Sequence, residues 1–450
     1  MKKQARILTA AACSILGITA PQHVSAAVSD DDFNALKNTV EQMNQQMQEL
    51  QKTHQQDQQQ IQQLQQQLGE TASAATNAVS LATNAVEKAD EVALAQANPP
   101  RSALHNFTMV GDAEVQYGQA KGKFGTFSLA DFAPIFLFRA NDNILFEAGF
   151  DVTLQNNVDA AGNPNGGSST SVNMSFAQMD YLINDYMTSV SGLMLLPLGT
   201  YSERSAGWLN KIPDDPLVIN FLPGSGVGTQ LRGGLPVGES GQSVSYAAYV
   251  VNGPSSTDGT ADAGSLDLGG NVGGDAVSSP NLNGYPSGGG RIGWFFPLKP
   301  HYDVELGISG QSGHWSGNYL WSALVVDAAV HITSYFEVKG EYVNTWQDTA
   351  DAGTVRANGC YVQAGYKLAG LDLDAPIVND IELVGRYDYA NNDMGSSSDR
   401  VTAGVVYYIT NTLLLEGDYE WFMNHGQNNL FNDGTTLPVS QFIVQLSYGF

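Results

Sequence analysis

The chain ends on the sequence SQFIVQLSYGF, residues 440–450. Apolar residues occupy every second position from Phe442 to Phe450, and the positions between them are mostly polar or small. Successive side chains of a β-strand point to opposite sides, so this stretch predicts a strand with one apolar face and one mostly polar face. The apolar face fits lipid, and the other face fits a water-filled lumen.

Composition favours a transmembrane β-barrel over a helical membrane protein. The chain has 48 Gly, 19 Tyr and 18 Phe and only 14% charged residues, and no apolar run approaches the roughly 18 residues of a membrane helix. A last strand that ends on Phe450 resembles the assembly signal of bacterial outer-membrane barrels, which implies the barrel-assembly machinery and outer-membrane lipid as partners. A soluble β-solenoid or sandwich is the alternative. The net charge of −25 argues against nucleic acid as a partner and favours a cation-attracting interior.

The segment 1–26 is predicted to be a signal peptide. Its start is basic, its middle is apolar, and small residues precede a cleavage site at Ala26. Cys13 has no Leu-like residue three positions ahead, so lipidation there is not expected. The mature chain then keeps only Cys360, which excludes an intramolecular disulfide or a CxxC metal site.

Residues 27–100 are predicted to form a periplasmic coiled coil. In the segment 33–68, apolar seam positions recur in steps of three and four and are interrupted only at His54 and Asp57. Polar residues at seam positions of a coiled coil commonly fix the register of the helices. The segment 71–97 is rich in Ala and continues the phase, and Pro99 and Pro100 end the helix. The Gln-rich composition leaves disorder as the alternative. A seam with no partner in its own chain predicts a homotrimer.

The region 101–450 contains sixteen strand candidates, an even number as in single-chain bacterial barrels. Connections after even strands are mostly short, whereas four connections after odd strands are long, at 156–171, 199–225, 253–287 and 424–438. Short periplasmic turns and long outer loops are typical of outer-membrane barrels, so the coil is expected in the periplasm. The connection 369–379 is the exception, and a bulge or two miscounted strands could lie there.

Charged residues within strands are predicted to face the lumen, because charge on the lipid face is costly. Thirteen acids and four bases fall in this class: Asp112, Glu114, Glu147, Asp151, Asp303, Glu305, Glu337, Glu341, Glu382, Asp388, Glu416, Asp418 and Glu420, with Arg232, Arg291, Lys339 and Arg386. The lumen is therefore predicted to be acidic and cation-leaning. In the alternative reading, acids and bases pair and only keep the lumen wet, as expected for Lys339 between Glu337 and Glu341.

The connection 199–225 follows the fifth strand candidate and is the third outer loop. It is predicted to fold inward as a pore constriction, because a barrel of this size needs narrowing in order to sieve solutes. An ordinary exposed loop is the alternative. The constriction residues combine both charge signs with aromatic rings: Tyr201, Glu203, Arg204, Trp208, Lys211, Asp214 and Asp215.

Three motifs resemble the phosphate-selective porin O and P family: PLGTYSER at 197–204, WLNKIP at 208–213 and IELVGRYDY at 381–389. The resemblance implies a sixteen-stranded trimeric outer-membrane porin. The chain departs from the phosphate-binding members because it has no ladder of lumen-facing Arg and Lys, so phosphate selectivity is not predicted. The N-terminal coil is similar to the periplasmic coil of sucrose porins.

The predicted function is a porin for passive diffusion of small hydrophilic solutes or ions. The alternative is a structural tether that links the outer membrane to peptidoglycan or to a periplasmic complex. The sequence has no GxSxG, P-loop, paired-His or metal-ligand motif, so an enzyme, a cofactor or a bound metal is not expected.

Overall fold

The computed structural model describes residues 106–158, 163–238, 240–269, 284–426, 430–431 and 437–450. The predicted signal peptide and coiled coil, Cys13 included, lie outside the described residues. Among the described residues, no helix is long and apolar enough to cross a membrane.

Sixteen antiparallel strands form one closed barrel. The seam joins the first strand to the last, from Asp112 opposite Gly449 to Ala120 opposite Gln441. The barrel strands are β1 Phe107–Ala120, β2 Thr126–Arg139, β3 Ile144–Val158, β4 Pro164–Asn184, β5 Met187–Leu195, β6 Ser225–Val237, β7 Gln242–Asn252, β10 Pro286–Lys299, β11 Tyr302–Ser316, β12 Tyr319–Ile332, β13 Phe336–Thr349, β14 Gly353–Lys367, β15 Ile381–Asn392, β16 Ser396–Tyr408, β17 Leu413–His425 and β18 Ser440–Gly449. Closure leaves the sheet without a free edge.

The predicted closed barrel and its strand count are confirmed, whereas the predicted outer connections are partly wrong. The segment 156–171 is mostly strand, because β3 runs to Val158 and β4 begins at Pro164. Two short strands, β8 Ser255–Ser256 and β9 Leu266–Asp267, form a separate ribbon within the connection after β7. The connection 369–379 holds a 3-10 turn at Leu368–Leu371 and one helical turn at Pro376–Asn379, so it hides no strands.

The two faces of the wall differ as the alternating pattern predicts. In β18, Phe442, Leu446 and Tyr448 are 42%, 41% and 47% exposed on the outside, while Gln445 and Ser447 are buried on the inside. Neighbouring β17 repeats the arrangement. An apolar exterior around a polar interior is the arrangement of a barrel that spans a membrane.

Candidate functional site: a loop inside the barrel

The connection between β5 and β6, residues 196–224, lies inside the barrel and is called the inner loop. It contacts strands on different sides of the wall. The backbone N–H of Thr200 donates to Glu341 on β13 at 2.8 Å, and that of Gly207 donates to Asp112 on β1 at 3.0 Å. A segment that touches such distant strands at once must occupy the lumen.

The loop begins at a turn that is fixed by Glu341. One carboxylate oxygen of Glu341 accepts the N–H of Thr200 at 2.8 Å, the hydroxyl of Thr200 at 2.9 Å and the N–H of Tyr201 at 2.9 Å. The preceding Gly199 has φ +74°, and a Cβ there would lie 2.2 Å from the other carboxylate oxygen. Glycine is thus required both by the backbone conformation and by the close approach of the wall.

Four buried charged side chains from β15, β16 and β17 form a charge cluster on the wall, defined as Arg386, Asp388, Arg400 and Glu420. The Nε atoms of Arg386 and Arg400 lie 3.0 and 3.1 Å from the same oxygen of Asp388. Nη1 of Arg400 lies 3.3 Å from Glu420. These four side chains are at most 3% exposed. Buried charges persist when they are paired and hydrogen-bonded, as they are here.

The charge cluster also holds the middle of the inner loop. The backbone carbonyl of Asp215 accepts hydrogen bonds from both Arg386 and Arg400. The N–H of Leu217 donates to Asp388 at 3.2 Å. The carboxylate of Asp215 accepts the hydroxyl of Tyr201. The loop is therefore pinned by backbone groups, which a side-chain motif does not reveal.

An apolar patch of the inner wall complements these polar contacts. The loop presents Leu217, Val218, Ile219, Phe221 and Leu222, and all of them are buried. They belong to one hydrophobic cluster with wall residues of β11, β12 and β13, namely Trp315, Trp321, Ala323, Val325 and Val343. The lumen on this side is therefore filled by packed side chains. Burial of their apolar surface stabilises the loop by about 25 cal/mol per Å².

Near the starts of β11, β13 and β15, ion pairs continue the attachment. Nζ of Lys211 lies 2.7 Å from Glu337 and 2.6 Å from Glu382. Arg204 pairs with Glu305 at 3.0 Å, and its side chain is 55% exposed. The direct contacts of Glu337 and Glu341 thus include groups of the inner loop, whereas their pairing with Lys339 stays a prediction.

A further set of carboxylates, called the acidic strip, lies on β17, β1, β2 and β3. The strip comprises Glu416, Asp112, Glu114, Asp131 and Asp151. Neutral groups bind them: the amide of Gln445 donates to Glu114 at 3.1 Å, and the hydroxyl of Ser175 donates to Asp151 at 2.6 Å. Among the described residues, the strip forms no ion pair with Lys or Arg.

Bases elsewhere on the wall are already matched by acids. Arg291 binds both oxygens of Asp327, one of them at 2.7 Å. Arg232 pairs with Asp180 at 2.7 Å. Carboxyl groups without a basic partner are thus concentrated on the acidic strip.

Most residues predicted for the site come together around the inner loop. Trp208 packs over Gly449, where an added Cβ would lie 2.8 Å from its ring. The carboxylate of Asp214 accepts the amide of Gln441 on β18. Asp418 is buried on β17, whereas Glu203 is exposed on the loop. Glu147 lies on β3 within 3.4 Å of Gln178.

Sequence reasoning missed Asp131, Asp180, Asp327, His331 and Arg400. Arg400 was detectable, since Arg400 and Thr402 alternate with Val401 and Ala403, which face outward. Asp327 was hidden because its inward-facing neighbours on β12 include Trp321 and Val325, so both faces of that strand are apolar.

Metal-binding geometry is not evident in the described part of the chain, where no group of three or more His, Cys, Asp or Glu residues is placed to hold an ion. The expectation of a protein without metal or cofactor stays a prediction.

No family model matches the sequence, and no curated protein is significantly similar to it. Solved structures with a related fold include an OmpT loop-deletion variant, an outer membrane protein of Vibrio cholerae (10% identity, 76% of this chain and 99% of that chain, TM-score 0.47). An anion-selective porin from Comamonas acidovorans shares 13% identity over 76% of this chain and 99% of its own, with a TM-score of 0.45. The outer membrane channel DcaP of Acinetobacter baumannii shares 11% over 76% and 97%, also with a TM-score of 0.45. Similarities this distant assign neither a family nor a function to this chain.

Proposed function

We propose that the chain is an outer-membrane porin, a passive and cation-leaning channel for small hydrophilic solutes or ions. The observation that carries the proposal is an inner loop that lies in the lumen of a closed sixteen-stranded barrel and contacts strands from β11 round to β1. Barrels of this strand number enclose an aqueous lumen, whereas eight-stranded barrels are filled by their own side chains. A loop that narrows such a lumen off-centre leaves an aqueous path beside it.

The inner loop acts as the constriction. Its contacts to Glu341, to the charge cluster and to Glu382 attach it to the wall formed by β13 to β17. A constriction must hold its position while solutes pass. Buried hydrogen bonds between charged side chains of the wall and backbone groups of the loop provide that rigidity. Solutes therefore pass between the loop and the remaining wall.

Cation preference is expected because acids outnumber bases among the residues assigned to the lumen. Glu203 is exposed on the inner loop and the side chain of Asp303 on β11 is 23% exposed, so both acids are accessible to water and place negative potential along the lumen. The effect is largest at low salt, where the screening length is about 30 Å at 0.01 M against about 10 Å at 0.1 M.

Reversal potentials of the purified protein in planar bilayers test the function. We expect single-channel steps, and under a KCl gradient a potential on the cation side that shrinks in the double variant Glu203→Gln and Asp303→Asn. The matched control is Asp142→Asn with Asp185→Asn, which removes two acids from exposed turns. An anion-side potential in the parent protein would refute the cation preference and favour the anion expectation of the family resemblance. Silent bilayers would favour the structural tether.

A homotrimer anchored in part by the N-terminal coil completes the proposal. The coil has a heptad seam in the sequence and no partner in its own chain. In this arrangement the coil extends into the periplasm, where peptidoglycan is a further candidate partner, and assembly depends on the barrel-assembly machinery.

A further inference from the structure

A cavity of about 350 Å³ lies between the inner loop and the periplasmic ends of β10 to β15. Lys211 of the loop borders it on one side. The wall borders it with Asp303, Glu305, Phe295 and His331, among others. The volume is within the range of small-molecule sites.

Carboxylates outnumber lysines in the lining of this cavity. Its lining includes four carboxylates and two lysines. Lys211 is committed to Glu337 and Glu382, at 2.7 and 2.6 Å. The second lysine, Lys367, has its Nζ 4.8 Å from the ring centroid of Tyr408.

Two of the lining carboxylates lie on β11 and stay partly exposed, Asp303 by 23% and Glu305 by 27% of the side chain. Asp303 has one oxygen 2.6 Å from Nδ1 of His331. Glu305 has one oxygen 3.0 Å from Arg204, whose side chain is more than half exposed. Each of these contacts uses a single carboxylate oxygen, which leaves acceptor capacity for a ligand.

Aromatic rings distinguish this lining from a simple acidic surface. Phe295 is the cross-strand partner of Glu305, and Phe336 and Tyr335 also line the cavity. A carboxylate beside an aromatic face suits an ammonium group that carries an apolar substituent, because the ring face attracts the cation while the apolar part is desolvated. A bare metal ion is less suited, since the described residues hold no cluster of three ligating side chains.

We propose that this cavity is a binding site for a small organic ammonium ion, with Asp303 and Glu305 receiving its N–H groups and Phe295 packing against its apolar part. The site deepens the proposed porin function, since it lies beside Lys211 of the constriction and below the level at which the charge cluster holds the loop. A solute that binds there slows at the periplasmic end of the channel.

Current block in planar bilayers by phenethylammonium chloride tests the site. Potassium phenylacetate and 2-phenylethanol are size-matched anionic and neutral controls. We expect a saturable block by the cation alone. In the double variant Asp303→Asn and Glu305→Gln we expect a block weaker by about tenfold. This change corresponds to about 1.4 kcal/mol of binding free energy. The control variant Asp142→Asn with Asp185→Asn also removes two acids, from exposed turns outside the cavity, and its block should match that of the parent protein.

Equal weakening in both double variants, or no block by the cation, would overturn the site while the open-channel current still supported the porin. If the bilayers are silent, calorimetric titration of the detergent-solubilised full chain with phenethylammonium decides the matter. Saturable binding lost in the Asp303/Glu305 variant supports the site without conduction, and absence of binding heat overturns it.

Discussion

The substitution Asp388→Asn tests whether the charge cluster holds the inner loop. It keeps the size of the side chain but replaces one carboxylate oxygen by an amide group that cannot accept a hydrogen bond. That carboxylate now accepts from Arg386 at 3.0 Å, from Arg400 at 3.1 Å and from the N–H of Leu217 at 3.2 Å. The variant therefore removes the negative charge shared by two buried guanidinium groups, and its one remaining acceptor oxygen cannot serve both the arginines and the N–H of Leu217.

The magnitude follows from burial. Breaking a buried ion pair by removing one partner costs about 3–5 kcal/mol, and two hydrogen bonds to a charged group at about 1.5–3 kcal/mol each give a similar range. Because the ladder of sixteen strands does not depend on the loop, we expect the loop to detach first, so the free energy of unfolding falls by up to this amount.

Two measurements check this expectation. Guanidinium titration of the protein in lipid vesicles reports the loss of stability, and single-channel recording should show a larger and noisier conductance. The control is Asp399→Asn on β16, which lies outside the charge cluster and loses one exposed hydrogen bond from Tyr387; it should change the free energy of unfolding by no more than about 1 kcal/mol. If Asp388→Asn keeps both the stability and the conductance of the parent protein, the cluster does not hold the loop.

Further predictions concern the start of the loop, the seam and the coil. Gly199→Ala should disturb the constriction, because a left-handed backbone conformation costs an alanine roughly 1–2 kcal/mol and the added Cβ meets Glu341. Gly353 is the control, since it has the same φ of +74° with open space around it. Equal effects of Gly199→Ala and Gly353→Ala on conductance would contradict the role of the contact with Glu341. Phe450→Ser should lower the amount of protein in the outer membrane, because it removes the ring that stacks on Phe132 with centroids 6.1 Å apart; normal amounts with altered conductance would argue against an assembly role. Deletion of residues 30–97 should leave a folded barrel whose trimers are weaker, as measured by native mass spectrometry. A parent protein that is monomeric with its coil intact would exclude coil-driven trimerisation.

Strand positions were predictable because each strand alternates between lipid and lumen. The pattern fades at the outer ends, where Asn156 and Asn157 on β3 and Ser168 to Thr170 on β4 are polar on both faces. Without an apolar face the sequence there resembles a loop, and only pairing with the neighbouring strand reveals it as strand.

The inward position of the loop was predictable from its order in the chain and its mixed composition, but its attachment was not. The contacts at Asp215 and Leu217 use backbone groups, which carry no residue-type signal. The apolar inner face of β12 shows the same limit, because Trp321 and Val325 face inward only where the loop covers them. Rules that assign polar residues to the lumen fail wherever the lumen is occupied by protein.

The contacts of the inner loop also set an order of events during folding. Gly207 bonds to β1 and Asp214 bonds to β18, the two strands that meet at the seam. Asp214 and its partner Gln441 are 227 residues apart, so this contact has a large loop-closure cost and forms late. Until β18 has paired with β1, the loop can be held by Glu341 and the charge cluster but lacks its contacts at Gly207 and Asp214 together. The constriction is therefore completed only by barrel closure, and an incompletely inserted chain is a less selective opening than the finished one.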